Sequence, residues 1–164
     1  VLDRADSTEA AVELIGGYAM LATSGRDYHF FITDASGDSR VVEYDCDSPD
    51  RAMTVTRVEA TTNFYAMHED RALPNQRNGP YGHGRERYDS VMDVIERTRG
   101  SATPEDAWEA LRVSSQLPDP EDITSNTQWS IVYSNTDLAA EASIRLHWED
   151  RFGCDLRTGD VSKL

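Results

Sequence analysis

The stretch Tyr28-His29-Phe30-Phe31-Ile32-Thr33, then Asp34-Ala35-Ser36-Gly37-Asp38, then Arg40-Val41-Val42-Glu43-Tyr44 decides the fold of this chain. Its two flanks are dense in aromatic and β-branched residues, which suit a pleated, half-buried surface. Its middle carries turn chemistry: Asp and Ser side chains bond their own backbone, and Gly accepts angles that other residues avoid. The pattern is a β-hairpin. Outward from it, residues 53–58 (MTVTRV) read as a third strand and residues 60–65 (ATTNFY) as a fourth. Upstream, residues 7–18 read as a helix. Ser7 is the N-cap, Glu9 sits in the first turn, Val12, Ile15 and Ala19 recur at helical spacing, and Gly16-Gly17 weakens the end.

Residues 66–84 form a long polar stretch with Pro74, Gly79-Pro80, Gly82 and Gly84, and loops of that length in compact domains are commonly either functional or disordered. Arg85-Glu86-Arg87-Tyr88 opens a helix whose Tyr88, Val91, Met92 and Ile95 share one face, and Gly100 stops it. Thr103-Pro104-Glu105-Asp106 starts another, with an N-cap, Pro at the first helical position and acids facing the dipole. Ala107, Trp108 and Leu111 form its apolar face. A second loop, 116–127, contains Pro118 and Pro120. Residues 128–134 and 142–148 read as strands about a turn at Asn135-Thr136-Asp137, with Trp129 packed in the core between two sheets. The order is helix, four strands, two helices, two strands. Strands clustered in hairpins imply antiparallel pairing, and helices covering sheet faces give a layered α+β fold. Residues 1–164 read as a single domain.

The chain has 164 residues, 38% hydrophobic and 28% charged, enough for one sizeable core. A formal net charge of -14 argues against nucleic acid and anionic membranes as partners, since both recruit clustered Lys and Arg. No apolar stretch approaches bilayer length. The N-terminus lacks a signal peptide and an initiator Met, so an upstream part is expected to have been removed. Val1 has neither hydroxyl nor thiol and cannot itself be a nucleophile. Cys46 and Cys154 form no CxxC or zinc pattern. They read as free thiols, which favours a reducing, cytoplasmic setting. Cys46 lies between Asp45 and Asp47, whose charges disfavour a thiolate. His29, His68, His83 and His147 show no metal spacing, and His29, within a strand, reads as structural. The acid pairs Glu69-Asp70 and Glu121-Asp122 lack a calcium-loop pattern. No metal and no organic cofactor is expected.

The residues that carry chemistry are an asparagine and an arginine. Asn63 ends the fourth predicted strand, and an arginine of Arg85-Glu86-Arg87-Tyr88 opens the helix after the long loop. Both side chains present hydrogen-bond donors from regular elements, which is what stabilising a developing oxyanion requires. Residues 28–44 (YHFFITDASGDSRVVEY), 61–65 (TTNFY), 84–89 (GRERYD) and 127–133 (TQWSIVY) together resemble the choloylglycine hydrolase family, in particular its linear amide C-N hydrolase and penicillin V acylase-like branches. They occur in the family's order and run through nearly the whole chain.

That resemblance implies an N-terminal-nucleophile fold, a four-layer αββα sandwich. In it the first residue after processing is a cysteine, whose thiol attacks an amide carbonyl while its own α-amino group acts as base. This chain matches the C-terminal half, so the resemblance places the thiol upstream and implies that the chain alone is inactive. Carried over by motif, Asn63 donates to the tetrahedral intermediate and Arg87 supports the nucleophile electrostatically, with Arg85 the competing assignment. Tyr65 and Tyr81, at the margins of the long loop, are candidate substrate-wall residues. The implied substrate is a small linear amide such as a bile-salt conjugate, penicillin V or an N-acyl amine. An acyltransferase of the same fold, or a non-catalytic binding or assembly module, are the alternatives. Missing strands would bare an apolar face, so a homo-oligomer is expected.

Overall fold

The computed structural model describes residues 1–18, 20, 28–45, 47–72, 84–118 and 126–164. The chain divides into two compact units, Val1–Arg77 and Asn78–Leu164. Both are built from antiparallel strands with helices, so the fold class is α+β.

In the first unit, α1 (Thr8–Gly16) precedes a three-stranded sheet, β1 (Phe30–Thr33), β2 (Ser39–Tyr44) and β3 (Met53–Arg57), with β2 central. The hairpin forms where the sequence calls for it. Gly37 takes φ 84° in the turn and donates its N–H to the Asp34 carbonyl at 3.1 Å, a conformation that Gly alone adopts without strain. Successive residues of β2 face opposite ways. Val42 and Tyr44 meet Ile15 of α1, with Val12, Phe30, Ile32 and Met53 around them. Full burial of each aliphatic side chain there stabilises by roughly 1.5–3 kcal/mol. The Tyr44 hydroxyl donates to the Ile15 carbonyl at 3.4 Å, a second bond to an acceptor that also takes the Tyr18 N–H at 2.9 Å at the end of α1. The other face of β2 carries Val41 and Glu43, both fully buried.

The predicted fourth strand does not form. Residues 58–65 are irregular, and the Phe64 N–H turns back to the Thr62 carbonyl at 2.9 Å. That tight turn leads into a 3₁₀ turn (Ala66–His68) and the short helix α2 (Glu69–Ala72). Local β propensity loses here to a turn anchored by tertiary contacts on the sheet.

The second unit opens with α3 (Gly84–Thr98) and α4 (Pro104–Val113). Thr103 and Asp106 cap α4 reciprocally, each side chain accepting from the other's backbone N–H. A four-stranded meander follows: β4 (Trp129–Ser134), β5 (Ala139–Ile144), β6 (Arg151–Asp155) and β7 (Val161–Lys163). β5 begins earlier and ends earlier than expected. Leu138 takes φ 53° to close the turn, and Arg145 at φ 55° cannot continue a strand. Two further strands were not legible in the sequence. Trp129 is not a core residue: it is 67% exposed, on a sheet face it shares with exposed Tyr133, Ile144 and Val161. No helix among the described residues is long and apolar enough to cross a membrane.

Trp108 anchors the second unit. It is fully buried, and its indole N–H donates to Glu141 Oε2 at 3.0 Å. The Arg151 guanidinium lies 4.4 Å from its ring centre and Trp148 meets it edge-on at 6.3 Å. Arg151 and Arg112 converge on Glu105, and hydrogen bonding from Arg151 first, then Arg112, lowers the Glu105 pKa. Trp108→Ala should destabilise the second unit by about 3–5 kcal/mol, read from the urea midpoint of the transition it reports. Trp108→Phe should cost less and lose the Glu141 bond.

The first unit is tied at the opposite end of α1. Thr8 Oγ1 lies 2.9 Å from Asp34 Oδ2 and 2.7 Å from Asp38 Oδ2, and the Thr8 N–H donates to Asp34 at 2.8 Å. Hydrogen bonding, from Ser36 first and then Thr8, holds the Asp34 carboxyl far below the usual carboxylate range. Arg40, then Thr8, lowers Asp38. Both groups are acids with depressed folded pKa values. Their contribution is therefore present above the unfolded value near pH 4 and lost as pH falls below it. Thr8→Val should lower the thermal midpoint at pH 7, and the gap to the native chain should narrow towards pH 3.

Candidate functional site

The 3₁₀ turn has no side-chain cap of its own, because Tyr65 occupies the N-cap position without an acceptor to offer its backbone. Glu43 supplies the acceptors from the sheet. Its Oε1 accepts from the Ala66 N–H at 2.8 Å and its Oε2 from the Met67 N–H at 2.9 Å. His29 Nδ1 lies 3.2 Å from the same Oε1. A carboxylate with no solvent exposure is thus paired on both oxygens, as burial of charge demands.

Beside this clamp is a cleft of about 360 Å³ lined by Tyr28, His29, Thr62, Asn63, Phe64 and Tyr65. Asn63 is exposed at its wall, on the irregular segment rather than at a strand end. Tyr65 is half-buried, and its ring centre lies 6.3 Å from that of His29 and 6.3 Å from that of His68. The structure therefore brings together Asn63, Tyr65 and His29. His29 has a structural partner, as its place in the sequence suggested, yet it also lines the cleft. No sequence motif announces that pairing, because Glu43 and His29 meet only across β1 and β2.

Tyr81, His83, Cys46 and the Glu121-Asp122 pair lie outside the described residues. Arg87 belongs to the second unit. It is half-buried, its Nη1 lies 3.5 Å from the Ser114 carbonyl at the C-cap of α4, and desolvation lowers its pKa. There it braces the α3–α4 pair at an end where cations are favoured. Arg85 pairs with Asp89 one helical turn on, at 3.4 Å. Cys154, on β6, is a half-buried free thiol whose Sγ lies 3.8 Å from the Asp155 carbonyl.

A second cluster includes His68, whose ring centre lies 6.3 Å from that of Tyr65. One ligand atom each from Asp45, Asp47 and His68 falls within 4.8 Å of the others. Spacing along the chain hides it, since His68 joins the two aspartates only through the fold.

Comparison with known protein families, with curated proteins and with solved structures gives no match.

Glu43→Gln keeps the shape but replaces one acceptor oxygen with a donor, leaving one of the two gripped N–H groups unsatisfied. The expected cost is about 1–3 kcal/mol, measured by chemical denaturation. Amide hydrogen exchange at Ala66 and Met67 should rise in the variant while exchange in β1 and β2 stays slow.

Proposed function

We propose that the cleft of the first unit is the oxyanion-stabilising side of a site that hydrolyses linear amide C–N bonds, as the resemblance to choloylglycine hydrolases implies. One observation carries the reading: Asn63 lines the same cleft as Tyr65 and as His29, which is held by a buried carboxylate. Two antiparallel sheets with accompanying helices are also the ingredients of an αββα sandwich, which supports it further.

In this reading the sulfur of an N-terminal cysteine, encoded ahead of Val1, attacks the amide carbonyl carbon. The carbonyl electron pair moves to oxygen, and the Asn63 side-chain N–H donates to that oxyanion. Collapse breaks the C–N bond, and the amine leaves with the proton held by the α-amino base. Water then cleaves the thioester. Tyr28 and Tyr65 offer aromatic surface to an apolar acyl group, and Tyr81 is assigned to the same wall by its place in the sequence. Arg87 is assigned the electrostatic role by motif alone. Its contact with the Ser114 carbonyl accounts for its burial independently.

The test uses the protein with whatever its gene encodes ahead of Val1, offered conjugated bile salts, penicillin V and simple N-acyl amines. Hydrolysis of at least one is expected, and Asn63→Ala should lower kcat by about 10²–10³-fold with KM little changed. No turnover of any of them, or an Asn63→Ala enzyme as fast as the native one, overturns the reading. Appearance of new amides when amine acceptors are added would assign acyl transfer instead.

A further inference from the structure

We propose that the first unit binds a divalent transition-metal ion between Asp45, Asp47 and His68. This is independent of the amidase reading. The three ligand atoms converge from two elements whose positions are fixed by other bonds. Asp45 extends β2, its N–H donating to the Ala52 carbonyl at 3.0 Å. Its Oδ1 accepts from the Asp47 N–H at 2.9 Å, which turns the chain and lays the second carboxylate beside the first. His68 ends the 3₁₀ turn that Glu43 grips, and its ring rests against Tyr65.

The independent sign of a ligand is on His68. Its Nε2 is shielded from solvent and makes no hydrogen bond. It lies 4.0 Å from Asp47 Oδ2, beyond hydrogen-bond distance. A buried polar atom without a partner is rare and calls for an explanation, an ion among them. A cation would satisfy that nitrogen and also relieve the repulsion between two neighbouring carboxylates.

The donor set selects the ion. Carboxylate oxygens with one imidazole suit Zn²⁺ or Mn²⁺ rather than Cu⁺, which prefers sulfur. Zinc bonds to oxygen and nitrogen run near 2.0–2.2 Å, so tetrahedral ligands sit roughly 3.4 Å apart. All three ligand atoms lie within 4.8 Å of one another and the Asp47–His68 pair at 4.0 Å, so the side chains draw together by up to about 1.4 Å to bind. Three protein ligands leave at least one position for water, the arrangement of an open rather than a closed site. As a ligand through Nε2, His68 carries its proton on Nδ1.

The test is calorimetric titration of the full chain, freed of metal by chelator, with ZnCl₂ and separately with MnCl₂. One equivalent should bind. Affinity should fall at least about tenfold in His68→Ala and in Asp47→Asn, with circular dichroism unchanged. Asp47→Asn alters an exposed side chain and keeps the test informative should His68→Ala fail to fold. Cys46→Ser and His147→Ala serve as controls and should bind as the native chain does. No binding by the native chain overturns the proposal. So does binding that survives Asp47→Asn intact, or binding that disappears in Cys46→Ser, which would assign the metal to the thiol.

Discussion

The first unit depends on a carboxylate buried in the middle of a sheet. Glu43 sits on the central strand with no solvent contact, and removing a charge from water is costly unless its oxygens are occupied. Both are: two backbone N–H groups and an imidazole meet them within 3.2 Å. The two N–H groups open a 3₁₀ turn, where donors are orphaned and negative charge is favoured. One side chain therefore solves two problems at once, its own desolvation and the uncapped end of the turn. Because that turn follows residues 58–65, the clamp also determines where Asn63, Tyr65 and His68 lie. Tyr65 lines the cleft and its ring also meets His68 of the aspartate–histidine cluster, so Glu43 bears on the geometry of both.

The second unit uses a related device with a different residue. Trp108 buries a large apolar surface and carries one polar atom, which Glu141 satisfies at 3.0 Å. Arg151 lies over the ring and also meets Glu105 on α4. The guanidinium thus joins the start of the helix to the sheet while covering the indole. Exposed ion pairs of this kind contribute little singly. Here they surround a fully buried aromatic, which supplies the packing energy and leaves the charges to set register.

Much of this was legible in the sequence where the signal is local. The hairpin of residues 28–44, the Ser7 and Thr103 caps and the helix face of Tyr88, Val91, Met92 and Ile95 all depend on residues close together in the chain. The misreadings share one cause. Residues 60–65 have β-branched character, but a tight turn at Phe64 and the clamp on Ala66 take them out of the sheet. β6 contains Gly153 and little β propensity, and it forms because β5 presents it with partners. Trp129 was assigned to the core by its chemistry alone, whereas the register places it on an exposed face with Ile144 opposite. Within the site, Asn63 and Tyr65 were visible as residue types. The Glu43–His29 pair and the grouping of His68 with Asp45 and Asp47 were not, because each is made by a contact between separate elements.

The two residues first singled out for oxyanion chemistry stand in different surroundings. Arg87 is half-buried beside the carbonyl that ends α4, and desolvation lowers its pKa. A cation at a helix C-terminus stabilises the helix pair without any substrate. Asn63 is exposed on a segment with no regular hydrogen-bond ladder, at the wall of a cleft that also holds an imidazole and two tyrosine rings. The irregular segment that carries it is positioned by the neighbours that fold around it. Those neighbours are held by a buried charge with every oxygen paired, the kind of rigid support a preorganised donor requires. A functional reading of this chain therefore rests on Asn63 and its cleft, and Arg87 enters it only through the motif that contains it.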